Sequence, residues 1–177
     1  IDLAALDEAI QAERLVQART LIEQAQLARQ SGAMLDLLKA EYDQARGQSD
    51  LALAGFRLLT ADPLVGARAS QGAGIASIRI RRVDDALGYL SAATAADPKL
   101  WRAWNATGVA NDLKHNWVAA EQAYASGLTA KPNSGEILAN RGYSRLLQKR
   151  FGEALSDLRQ AHALLPGNDK GETTLRL

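Results

Sequence analysis

Residues 101–134 read WRAWNATGVANDLKHNWVAAEQAYASGLTAKPNS. The segment opens on Trp101 and carries Gly108 in its first half. Trp117, Ala120 and Tyr124 follow, and Pro132 closes it. A step of 34 residues in either direction finds the same order again. Ala120 is matched by Ala18, Ala52, Ala86 and Ala154, and Tyr124 by Ile22, Phe56, Leu90 and Leu158. Gly108 is matched by Gly74 and Gly142, and Pro132 by Pro98 and Pro166. Alanine is abundant here, so an alanine ladder alone decides little. A small residue, a large apolar residue four later and a proline eight beyond, all in one register, decides much more. Repeats of this length are single helix pairs that bury their apolar faces only by stacking on neighbours. The predicted fold is all-α: a right-handed solenoid of about five stacked helix hairpins, the first and last incomplete.

Worked outward from that segment, the predicted repeats span approximately 1–32, 33–66, 67–100, 101–134 and 135–168, within one domain over 1–177. Residues 169–177 start a capping helix. In the first repeat Leu15, Ala18, Ile22 and Ala25 form a helical apolar stripe. Nothing local forces a bend before it; the frame places one near Ala12-Glu13. The second repeat predicts helices over about 34–45 and 50–60, with Gly47-Gln48-Ser49 as the turn. Its Asp62-Pro63 ends it one residue ahead of the frame. In the third, Gly72 and Gly74 sit inside a helix, where each costs about 0.5–1 kcal/mol relative to alanine. Close approach of a neighbouring helix accounts for them; a flexible helix is the alternative. The fourth and fifth repeats are the clearest, each with two helices around a short turn (Lys114-His115-Asn116 and Gln148-Lys149-Arg150). Trp117 and Phe151 share the position of Val83 and Leu15 and are expected to wedge under the turn. Trp101 either packs on Pro98 or is an exposed contact.

Composition narrows the function. The 177 residues carry 21 basic and 20 acidic side chains, a net charge of +1. That balance offers no electrostatic reason to expect nucleic acid or an anionic membrane as partner. No cysteine is present, which excludes disulfides, thiolate catalysis and cysteine metal sites. No apolar run reaches the roughly 18 residues that would span a bilayer. Ile1 without an initiator methionine, and a mid-helix pattern at Thr173–Leu177, lead us to expect part of a longer or processed protein.

The order of small, large and proline positions resembles the tetratricopeptide repeat family over essentially the whole chain, most specifically over 67–168. The aromatic usual in the middle of the first helix is replaced by Ser77, Asn111 and Arg145. A narrower resemblance lies in Asn105-Ala-Thr-Gly-Val-Ala and in LANRGYSRLLQKRFGEALSDL, residues 138–158. These resemble the tetratricopeptide protein of bacterial tight-adherence (Flp) pilus assembly, often an envelope lipoprotein, which implies a bacterial periplasmic or envelope location.

No catalytic pattern emerges. His115 and His162 are the only histidines and lack metal-ligand spacing. Asp84-Asp85 suit a helix N-terminus. Gly66 and Gly72-Ala73-Gly74 lack the order of a phosphate loop. Arg79, Arg81 and Arg82 form the densest basic patch, expected to be a solvated turn. No enzyme, metal or cofactor is predicted.

The family resemblance implies that first helices line a concave surface that holds a peptide or protein segment. Positions 2, 5, 9 and 12 of a repeat would face it. In the third repeat these are Arg68, Gln71, Ile75 and Ile78. In the fourth they are Arg102, Asn105, Val109 and Asp112. In the fifth they are Glu136, Ala139, Tyr143 and Leu146, flanked by Asn140. The predicted groove contacts are Arg68, Gln71, Ile75, Arg102, Asn105, Val109, Asp112, Asn140 and Tyr143. Ile75, Ile78, Val109 and Leu146 can equally be read as core. The lysine–asparagine clamp of co-chaperone tetratricopeptide domains is missing, with Gln71, Ile75, Ala106, Glu136 and Asn140 at its positions. The predicted function is a non-catalytic interaction scaffold, an assembly factor of a bacterial secretion or pilus system. The alternative is a structural or regulatory repeat segment that mediates oligomerisation with a second copy or another domain.

Overall fold

A computed structural model describes residues 1–165. The predicted capping helix at 169–177 lies outside them. The described residues form ten helices and no strand. They pair as α1 (Leu3–Gln11) with α2 (Leu15–Leu27), α3 (Ala33–Ala45) with α4 (Ser49–Arg57), and α5 (Gly66–Arg79) with α6 (Val83–Ala96). Two further pairs follow, α7 (Trp101–Leu113) with α8 (Trp117–Ala130) and α9 (Gly135–Leu147) with α10 (Phe151–Leu164). The chain is an all-α solenoid of tetratricopeptide-type hairpins.

The repeat is written into the backbone as well as the side chains. Glu13, Gly47, Arg81, His115 and Lys149 stand 34 residues apart, one in each hairpin turn, with φ of +54°, +76°, +67°, +59° and +61°. In every turn the next residue's amide bonds a carbonyl five residues back: Arg14 to Ala9, Gln48 to Asp43, Arg82 to Ser77, Asn116 to Asn111 and Arg150 to Arg145. This is the Schellman closure, in which a left-handed residue lets the chain satisfy the last carbonyls of a helix. The bend that the frame places near Ala12-Glu13 is therefore real. Four of the five left-handed residues carry a Cβ, which costs roughly 1 kcal/mol there. Lys149→Gly should accordingly stabilise the fold by up to about 1 kcal/mol, whereas Gly47→Ala should destabilise it by about 1 kcal/mol. Urea denaturation of the two variants checks this; effects of the same sign would mean the turns do not share this geometry.

The helical glycines serve packing. A Cβ on Gly108 would meet the Tyr124 ring, one on Gly74 the Leu90 side chain and one on Gly142 the Leu158 side chain. Each partner lies sixteen residues later in the same hairpin. Gly72 instead faces the Phe56 ring of the preceding hairpin. Tyr124, Phe56 and Leu90 are fully buried, so the close approach lets large side chains fill the seam between helices. Close approach, not flexibility, explains Gly72 and Gly74.

Two details differ from the sequence reading. Helix α4 ends at Arg57, before the predicted 60, and the Asp62 carboxylate then accepts the Leu64 and Val65 amides at 2.8 and 3.0 Å. This side-chain turn leads the chain into α5 and is where the register slips. Phe151 does not wedge under its turn: it is 63% exposed. Trp117 is half-buried and meets the His115 ring edge-on at 5.2 Å, but the equivalent turn residue beside Phe151 is Lys149, which offers no ring.

Curvature follows from which helices touch. Each first helix contacts the next first helix, α1 to α3, α3 to α5, α5 to α7 and α7 to α9. Among the described residues the second helices make no comparable contact with one another. The first helices therefore crowd along the inner side and the second helices splay on the outer side, which makes the first-helix face concave.

Candidate functional site

Across that face Arg68 of α5 joins three hairpins. Its Nε and one terminal nitrogen donate to the Glu41 carboxylate of α3, both at 2.6 Å. Its terminal nitrogens donate to the Asp7 carboxylate of α1 at 2.9 and 2.6 Å. Paired forks of this kind are strong and direction-specific. The Arg68 hydrogen bonds hold the Asp7 carboxyl below its ordinary 3.8. Burial pushes Glu41 above its ordinary 4.5 in spite of the same arginine. The two directions differ because Glu41 is the more buried partner: its side chain keeps 14% of its exposure against 33% for Asp7.

The signs follow by linkage. A depressed carboxyl stabilises the fold above the unfolded value and loses that contribution as pH falls through the folded value. The stability difference between wild type and Asp7→Asn should thus hold constant at neutral pH and shrink below about pH 4. Urea melts at several pH values measure it. A difference that grows on acidification would mean Asp7 is not held ionised by Arg68.

Beside this tie an open cleft of about 540 Å³ runs between the first helices, with Gln71, Ile75, Arg79, Lys99, Trp101 and Arg102 on its walls. A second cleft of about 330 Å³ continues it toward Asn105 and Glu136. The two share Glu13, Ile75, Arg79, Trp101 and Arg102, so they form one trough along the concave face. Trp101 is half-buried, with the Arg102 guanidinium 4.5 Å and the Lys131 ammonium 3.8 Å from its ring centroid, within cation–π range. Trp104 reaches Pro98, through an indole N–H to the Pro98 carbonyl at 3.0 Å.

The predicted contacts differ in exposure and in what already holds them. Arg68, Gln71, Ile75, Arg102 and Asn105 all line the trough, although Arg68 is engaged by its own carboxylates. Ile75 and Val109 are core residues, only 5% and 3% exposed. Asn105 and Asn140 are buried and satisfy each other: the Asn140 amide donates to Asn105 Oδ1 at 3.0 Å, joining α9 to α7. Asp112 accepts the Tyr124 hydroxyl and the Ser144 hydroxyl, both at 2.7 Å, and burial raises its pKa. It fastens a seam between hairpins. Tyr143 is 38% exposed, yet Val109, its equivalent one repeat earlier, is buried. Its exposure reflects its place on the last described first helix.

Sequence reasoning missed Arg79, Lys99 and Trp101 as trough residues. Arg79 lies four residues after Ile75 on α5, hence on the same helix face, and donates to the Gln44 carbonyl at 3.0 Å. That i, i+4 spacing was a signal the fixed positions 2, 5, 9 and 12 excluded. Lys99 sits in the loop before α7, where no helical pattern reaches it. Where the usual mid-helix aromatic is missing, Ser77 and Asn111 are buried. Arg145 instead donates to the buried Asp157 at 2.9 Å and pairs with Glu121. Only Arg145 thereby replaces the ring with polar ties between helices: the Asn111 amide donates to the Thr107 carbonyl of its own helix, and the buried Ser77 hydroxyl makes no hydrogen bond among the described residues.

Among the described residues no group of three or more His, Asp or Glu is placed to hold a metal ion, and no helix is long and apolar enough to cross a membrane.

The geometry defines a helical-repeat solenoid with a concave trough, and solved structures share its fold. TTC0263, a thermophilic TPR protein of Thermus thermophilus, superposes with a TM-score of 0.81 at 19% identity, covering 94% of this chain and 91% of that one. MamA residues 41 to the end from Desulfovibrio magneticus RS-1 gives 0.68 at 17% identity, covering 90% of each. MamA from MSR-1 gives 0.63 at 21% identity, covering 89% and 90%. No protein-family model and no curated protein matches the chain. The likeness is one of fold.

Proposed function

We propose that the chain is a non-catalytic scaffold that holds a protein or peptide segment along its first-helix face. The supporting observation is the continuous trough, which presents a half-buried tryptophan and cationic side chains across α5 and α7. Grooves of this kind recognise segments through a few anchors, main-chain contacts and charge. A role as assembly factor in a bacterial secretion or pilus system is supported only by the sequence resemblance in 105–110 and 138–158. The test is affinity capture with wild type and with a Trp101→Ala, Arg102→Ala variant that still melts cooperatively. Partners retained equally by both would sink the groove reading.

A second reading is favoured by one observation. Tyr143 and Leu146 are exposed on α9, although their equivalents Val109, Ile75, Ile78 and Ile10 are buried by the following hairpin. This apolar end face suits packing against a second copy or another domain. Sedimentation velocity on wild type and on Tyr143→Glu, Leu146→Glu tests it; a chain that is monomeric at roughly tens of micromolar would exclude self-association as the cover.

A further inference from the structure

We infer that the trough takes an acidic segment, whose carboxylates are received by Lys99 and Arg102 while an adjoining apolar side chain lies against Trp101. The inference deepens the groove reading and depends on it. Counted whole, the walls are balanced in charge, but of their carboxylates Asp7, Glu41 and Glu136 are already engaged, and only Glu13 is in no ion pair among the described residues. Asp7 and Glu41 are both bound by Arg68, and Glu136 is paired with Lys131 at 3.4 Å. On the other side, neither Lys99 nor Arg102 takes part in any ion pair among the described residues. Both are exposed at the mouth of the trough, on either side of Trp101 in the chain. Arg79 lies on the same wall, engaged by the Gln44 carbonyl. The charge that Lys99 and Arg102 offer a visitor is therefore positive, although the chain as a whole is nearly neutral.

The chemistry of the spot favours a carboxylate over a phosphate backbone. Lys99 and Arg102 are two cations that flank one tryptophan in the chain and line the same cleft, not a stripe that could track successive phosphates. A carboxylate held beside a half-buried ring gains from the reduced dielectric there. The tryptophan face meanwhile covers an apolar neighbour on the ligand.

The experiment is selection of a random peptide library displayed on phage against the full chain, in parallel with a Lys99→Glu, Arg102→Glu variant. Both targets are first shown to keep the same helical content and cooperative melt. Expected is enrichment of Asp or Glu within about three residues of an aromatic or large aliphatic residue, a distance a held extended segment spans at ~3.3 Å per residue. The selected peptides should bind the charge-reversed variant about tenfold or more weakly, and lose affinity as salt is raised. The reversed variant should in turn select Lys or Arg. Trough-dependent peptides without acidic enrichment, or basic ones on wild type, would overturn this inference and leave the groove reading standing. Peptides that bind both targets equally, or no enrichment at all, would remove both.

Discussion

Gly108→Ala is expected to destabilise the protein by about 3 kcal/mol. The new Cβ would occupy the space of the Tyr124 ring, which is fully buried. The ring has nowhere to retreat. Its hydroxyl donates at 2.7 Å to Asp112, whose other oxygen accepts from Ser144 of the next hairpin. Displacing the ring therefore costs overpacking, about 1–3 kcal/mol, and also a hydrogen bond to a charged group, about 1.5–3 kcal/mol. Tyr124→Phe in the Gly108→Ala background separates the two. If the single variant has already broken the hydrogen bond, the double variant loses little more, because the ring is already free of its tether; if overpacking alone carries the cost, the hydroxyl keeps its partner and removing it costs a further ~1.5–3 kcal/mol. Chemical denaturation reads both, and a Gly108→Ala chain as stable as wild type would refute the packing account of the glycine ladder.

Arg68→Ala is expected to cost about 2–3 kcal/mol and to release the first hairpin before the rest. Removing the guanidinium strands the Glu41 carboxylate in a mostly buried site. Breaking a buried pair from one side costs about 3–5 kcal/mol, and the partial exposure of Arg68 and Asp7 lowers that figure. Arg68→Lys should rescue little, since one ammonium cannot reproduce the fork that reaches two carboxylates. Hydrogen exchange should show α1 and α2 losing protection first, because α1 meets α5 only through this arginine and α3. Wild-type stability combined with lost partner capture would instead make Arg68 a ligand contact.

Much of the fold was legible because it is periodic. The ladder of Ala18, Ala52, Ala86, Ala120 and Ala154 marks buried positions in each second helix, and every one is buried. The turns were legible for the same reason, even where no glycine announces them, as at Arg81 and His115. The site was legible only in outline. The family resemblance implies which side of α5 and α7 faces inward, and Arg68, Gln71 and Arg102 do line the trough. It cannot say that a residue on that side is consumed by an internal partner. Arg68 meets Asp7 and Glu41 from 61 and 27 residues away, and Asn140 meets Asn105 from 35. Such pairings arise only when hairpins stack. Trp101 escaped because it opens its repeat, where a wedge, a proline contact and an exposed anchor look alike in sequence.

The most direct test of a working concave face is site-specific photo-crosslinking in the full chain. A benzophenone side chain is placed in turn at Gln71 and Arg102 on the first helices, and at Leu51 and Leu155, exposed residues of the second helices. Adducts with a partner from Gln71 and Arg102, and none from Leu51 or Leu155, are the predicted result. Adducts confined to Leu51 or Leu155 would place the partner on the outer face and contradict the account.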